Sequence, residues 1–195
     1  RASALSVGAE KKFGKLLFAI YTHSPMIYND YIIYIMKGVV CMRLLVLSDS
    51  HGRKNLLLQA VELHPEADAV IFLGDGERDI DFLKELHPEI KLYAVCGNCD
   101  FNSSLPPFLI EKFGGRTVYA AHGHYESVKY SLAVLMLKAH NCSASIALYG
   151  HTHVPDTKYE DGILYVNPGS ISVGKYAMVD ITDKGIMPIL CDLYK

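Results

Sequence analysis

Residues 42–52 read MRLLVLSDSHG. Arg43 to Ser48 has the character of a buried first strand, Ser48 to Gly52 of a loop, and Asn55 to Leu63 of a helix. The same succession repeats downstream. Ala69 to Leu73 (AVIFL) is a second apolar run that ends in Gly74, a second helix is expected around Asp79 to Leu86, and Lys91 to Val95 reads as a third strand ending at Cys96-Gly97. Strand, loop and helix in this order indicate parallel βαβ units, with short loops at the carboxyl ends of the strands, and sites in such sheets form there. The fold class read from pattern alone is α/β.

The second half changes style. Phe108 to Phe113 and Arg116 to Ala121 read as strands joined through the turn pair Gly114-Gly115. Ser127 to His140 has helical spacing, with Val128, Leu132, Leu135 and Met136 on one face. Ile146 to Tyr149, Ile163 to Val166, Tyr176 to Ile181 and Ile186 to Leu193 are further expected strands, which suggests two packed sheets with helices outside.

At 195 residues and 50% hydrophobic side chains, the chain can bury one core but is short for two ordinary domains. A formal net charge of -2 gives no chain-wide attraction for nucleic acid or anionic lipid. The five cysteines, Cys41, Cys96, Cys99, Cys142 and Cys191, are odd in number and scattered, as expected of reduced thiols in a cytoplasmic protein. No apolar run reaches the roughly 20 residues of a membrane span. Arg1 to Cys41 is rich in Tyr and Ile without clear period, and Met42 directly precedes the first orderly strand. Residues 1–41 are therefore expected to be a non-native or loosely attached extension, and residues 42–195 a single domain.

Five short clusters follow the apolar runs: Asp49-Ser50-His51, Gly74-Asp75, Gly97-Asn98-Cys99-Asp100, His122-Gly123-His124 and Gly150-His151-Thr152-His153. Each carries N or O donors suited to divalent metals, and most contain a glycine that permits a tight ligand loop. One such cluster means little. Five at the ends of successive strands deliver carboxylate, amide and imidazole groups to one sheet edge.

In their order, D-x-H, G-D, G-N-x-D, H and G-H-x-H, these clusters resemble the calcineurin-like metallophosphoesterases over Met42 to about Ser172, most closely their compact single-domain phosphodiesterase branch. That branch shares its fold with a retromer subunit. The resemblance implies a mixed β-sandwich flanked by helices, four layers deep in the order α/β/β/α. It further implies that Asp49, His51 and His153 bind one metal, that Asn98, His122 and His151 bind another, and that Asp75 bridges the two. Two divalent transition ions follow, manganese first and iron, nickel, cobalt or zinc as alternatives, activating a hydroxide against a small phosphate ester. A catalytically weak scaffold for protein contacts is the rival reading, and a homo-oligomer stays open.

Cys99 departs from the family pattern, since many members carry there a His that protonates the leaving group. His124 could substitute and is expected, with Asn98, to be catalytic; metal-bound water could serve instead, or His124 could orient a ligand by hydrogen bonding. The Cys96-x-x-Cys99 pair also allows a redox reading. Asn167-Pro168-Gly169-Ser170 is expected to be a turn, with Asn167 or Ser170 near the phosphate as the alternative. Asp79 and Asp81 read as solvated helix residues or a helix start, and Tyr125 as either a pocket wall or core.

Overall fold

A computed structural model describes residues 40–195. The expected extension falls outside this range apart from Val40 and Cys41, which already belong to the first strand. Among the described residues, ten strands build two five-stranded sheets. In the first sheet β1 (Val40–Leu47), β2 (Ala69–Phe72) and β3 (Leu92–Ala94) run parallel. β9 (Lys175–Thr182) lies on the other flank of β1, and β10 (Ile186–Asp192) pairs antiparallel with β9 at the edge. The second sheet holds β5 (Arg116–Ala121), β6 (Ile146–Tyr149) and β8 (Ile163–Asn167) in parallel, with β4 (Phe108–Phe113) and β7 (Asp156–Glu160) as antiparallel edges.

Side chains alternate across each strand, so a strand sandwiched between two layers must be apolar at every position. β1 shows this directly. Leu44 and Val46 pack between the sheets against Val118, Ala120, Ile146, Leu148 and Val179, whereas Leu45 and Leu47 face the opposite way onto Leu57, Val61, Ile80 and Leu83. The latter come from helices α1 (Lys54–Glu62) and α2 (Glu77–Leu86). Behind the second sheet, Tyr119, Ala147 and Tyr165 pack on Leu135 and Ala139 of α3 (Ala133–Asn141). The layers run helix, sheet, sheet, helix, as the resemblance implies. Truncating any fully buried leucine here, such as Leu44, costs about 2 to 5 kcal/mol.

Two expectations are corrected. The helix over Ser127 to His140 begins only at Ala133, because Ser127 takes a left-handed φ of 55° and its carbonyl receives the amides of Tyr130 and Ser131 in a turn. Val128, Leu132, Leu135 and Met136 nevertheless all reach one cluster. The polar strand β7 has no counterpart in the sequence reading, since an exposed edge strand needs no apolar face. None of the helices among the described residues is long and apolar enough to cross a membrane.

Candidate metal centre

The carboxyl ends of β1, β2, β3, β5 and β6 each release one of the five polar clusters, and hydrogen bonds lock these loops to one another. Asp49 N donates to Gly74 O at 2.9 Å and His51 N to Asp75 O at 3.0 Å, tying the first loop to the second. Gly150 N donates to His122 O at 3.0 Å, and His151 N donates to Asp49 Oδ2 at 3.1 Å. The two sheets are thus joined at the same edge.

The backbone in these loops is strained. Asp49, His51, Asp75, His151 and His153 have φ angles of 56°, 45°, 60°, 65° and 60°. Residues other than glycine hold this left-handed region at a cost of about 1 kcal/mol or more each, and they persist only where the surroundings over-determine them. Here the surroundings include four polar residues that the sequence reading did not place in this role. Asp79 is buried, and its Oδ2 accepts from Ser50 Oγ at 2.6 Å and Gly52 N at 2.8 Å, so it is neither solvated nor a cap. Asp81 is exposed and pairs with Lys84. Asp100 accepts from four backbone amides, those of Asp75 and Gly97 at Oδ2 and of Gly76 and Glu77 at Oδ1, all at 2.8 to 2.9 Å. Burial pushes the Asp100 carboxyl up, but these amides outweigh it and hold the group below the usual carboxylate range. Asn167 donates to Gly150 O and Thr152 Oγ1, and Ser170 Oγ donates to Asp49 O at 2.7 Å. Both residues grip loop backbones.

Within this frame the seven side chains of the expected ligand set converge. Asp49 Oδ1 lies 3.0 Å from His153 Nε2 and 3.7 Å from His51 Nε2, and the two imidazole nitrogens stand 3.3 Å apart. On the other side, His122 Nε2 lies 3.1 Å from Asn98 Oδ1 and 3.2 Å from His151 Nδ1. Between the groups sits Asp75, whose Oδ2 is 3.9 Å from His51 Nε2 and 3.6 Å from His122 Nε2.

The tautomer of His122 follows from its surroundings. Nδ1 approaches Leu73 O at 2.6 Å, and a carbonyl only accepts, so this nitrogen carries a proton and Nε2 is the ring atom left to face inward as a ligand. Burial, reinforced by His122 and Lys129, pushes His151 down to about 4, which keeps that imidazole neutral and its lone pair free. Asp49 Oδ1 is buried with no hydrogen bond among the described residues. Lone pairs of carboxylate, amide and imidazole facing one another repel, and a buried oxygen without a donor is costly. A divalent cation satisfies all of them at once, so the donor set fits a metal centre of N and O ligands.

Residues 42–184 match the model of the calcineurin-like phosphoesterase superfamily domain. The chain belongs to that superfamily. Probable metallophosphoesterase YsnB of Bacillus subtilis strain 168 is 35% identical over 132 residues, 67% of this chain and 75% of that protein. Phosphodiesterase YfcE of Escherichia coli K12 is 26% identical over 185 residues, covering 85% of this chain and 87% of the relative. A solved structure from Streptococcus pneumoniae TIGR4, described as a predicted phosphoesterase, aligns with a TM-score of 0.69 at 31% identity over 77% of this chain and 89% of its own.

In this calcineurin-like phosphoesterase, Cys99 sits beside the centre. Its amide donates to Asp75 Oδ1 at 2.7 Å, and Asn98 Nδ2 donates to its sulfur at 3.1 Å, which turns the Asn98 carbonyl oxygen toward His122. Burial, then the hydrogen bond and charge of Asp75, push the thiol up to about 11. A thiol that holds its proton so firmly makes a poor reactive cysteine, and Cys96 is also raised, so the redox reading of the pair finds no support. His124 makes no hydrogen bond to His122 or His151. Their rings lie 5.3 and 6.2 Å away, and His124 Nδ1 is buried without a partner. Burial, followed by the neighbouring His122, lowers its pKa. Tyr125 is neither core nor cleft wall; it is exposed, with its ring 4.0 Å from that of His124. A cleft of about 360 Å³ opens beside His51 and Asp75, walled by the first turn of α2 and by Cys99 to Phe101.

Proposed function

We propose that this phosphoesterase hydrolyses phosphodiesters at a dinuclear centre, with Asp49, His51 and His153 holding one ion, Asn98, His122 and His151 the other, and Asp75 shared. Manganese is the first choice, with iron, cobalt, nickel and zinc also suited to imidazole and oxygen donors. The reading is supported above all by the position of Asp75 Oδ2, within 4 Å of an imidazole nitrogen from each group. Two dications against the carboxylates of Asp49 and Asp75 leave about two positive charges, because asparagine and neutral histidine add none. A singly charged phosphodiester and a hydroxide match that surplus. When bound, such ions acidify water and polarise the phosphoryl oxygens.

The remaining work falls to the chain itself. Leu73 O fixes the His122 tautomer, the Asn98 amide is oriented by Cys99 Sγ, and the Asp100 carboxylate clamps the Gly74–Asp75 backbone against Gly97. Cys99, with its raised thiol, is a weak proton donor to a departing alkoxide. His124 takes that role, having no ligand to orient.

Reconstitution followed by elemental analysis, together with hydrolysis of bis(p-nitrophenyl) phosphate, tests the proposal. Two ions per chain and metal-dependent release of p-nitrophenolate are expected. A protein that retains no metal and turns over nothing with any of these ions would instead be a scaffold of the same fold.

A further inference from the structure

The cleft beside the centre is lined by residues of different chemistry. His51 and Asp75 of the centre belong to its lining. The same lining includes Arg78 from the first turn of α2 and Phe101 from the loop that follows the Asn98 cluster. Phe101 is 87% exposed, and its ring meets no other aromatic ring among the described residues. A single exposed apolar side chain carries no meaning on its own. This one shares a cleft wall with an exposed guanidinium beside the centre assigned to phosphate.

The other polar groups of the cleft are already engaged. Asp79 is held by Ser50 and Gly52, and Asp100 by four amides that include those at the amino end of α2. The Gly76 and Glu77 amides at the helix end are therefore taken by Asp100, and neither the Asp79 nor the Asp100 carboxylate is free for sugar hydroxyls. What remains for recognition, besides the Arg78 backbone amide, is a phenyl face, a guanidinium and the half-buried Glu77. Phenyl rings and guanidinium planes both stack on the faces of nucleobases. A quaternary ammonium head group would also suit an aromatic face, but Arg78 repels it. At about 360 Å³ the cleft lies within the usual range for small ligands.

We propose that the wall formed by Phe101 and Arg78 is a nucleobase subsite, so that the substrate is a nucleoside phosphodiester whose phosphate lies at the centre and whose base stacks on Phe101. The inference rests on the phosphodiesterase reading, and its test separates the two. Turnover of bis(p-nitrophenyl) phosphate by the metal-loaded protein serves as the reporter, with AMP and ribose 5-phosphate as competitive inhibitors that differ only in the base. AMP is expected to inhibit at least about fivefold more tightly, the lower end of what base stacking contributes. Phe101→Ala brings the ratio of the two inhibition constants close to one without moving the ribose 5-phosphate constant, and Phe101→Tyr preserves the ratio. Because the side chain is so exposed, these variants fold normally. Equal constants in the wild-type protein, or a ratio that survives Phe101→Ala, would overturn the subsite while the reporter still turns over. A silent reporter overturns the phosphodiesterase reading, and the subsite falls with it.

Discussion

Replacing Asp100 by Asn removes one acceptor oxygen and puts an amide group in its place. In the native loop Oδ1 receives Gly76 and Glu77, while Oδ2 receives Asp75 and Gly97. Whichever way the new side chain turns, two of the four backbone donors meet another donor. Charge-assisted hydrogen bonds contribute about 1.5 to 3 kcal/mol each, which sets the gross loss at about 3 to 6 kcal/mol. The site is only half-buried, so water recovers part of that loss and about 3 kcal/mol remains. In urea unfolding this moves the midpoint down by about 1 to 2 M. Metal affinity should fall as well, by about 10- to 100-fold, because Asp75 and Asn98 lose the clamp between their loops. Equilibrium unfolding by circular dichroism and a metal-binding titration measure the two effects. A variant with an unshifted midpoint and full metal affinity would refute the role given to this carboxylate.

Asp75→Asn should lose the shared ion site and lower kcat by about two orders of magnitude or more, read with bis(p-nitrophenyl) phosphate and elemental analysis. Chelation lowers Tm, and adding back an ion at a hundredfold excess over its Kd restores about 2.7 kcal/mol, which thermal scans with and without metal register. Arg43 donates from Nε and Nη2 to the two oxygens of Asp180, both at 2.6 Å, across β1 and β9. Arg43→Met leaves that buried carboxylate uncompensated and should destabilise by about 3 to 5 kcal/mol in denaturant titration, whereas Arg43→Met combined with Asp180→Leu recovers much of the loss.

What could be read from the sequence was whatever burial writes into it. β1, β2, β6 and β8 announce themselves because both faces are covered, and α1 and α2 because one face is. β7, DTKYE, lies at an edge with its side chains largely in solvent, and nothing in its composition demands a strand. The helix start at Ala133 was hidden because Val128 and Leu132 keep helical spacing while serving the same cluster from a turn. At the centre, the seven candidate side chains stood out because their donor atoms are unusual after apolar runs. Asp79, Asp100, Asn167 and Ser170 reach backbone groups far away in the chain, as Asn167 to Gly150, 17 residues off, and Ser170 to Asp49, 121 residues off, illustrate. Such partners have no local period. The one hint for Asp100 was its place in the Gly97-Asn98-Cys99-Asp100 cluster.

The left-handed backbone at Asp49, His51, Asp75, His151 and His153 sets folding against chemistry at the same five positions. Glycine would relax the main chain at every one of them. A variant library sorted only for thermal tolerance, with no demand on turnover and with metal withheld, should therefore lose His51, His151 and His153 before the hydrophobic layers change, while Asp49 and Asp75, which accept from His151 N and Cys99 N, resist replacement. The same library grown with metal present and screened for hydrolysis should keep all five.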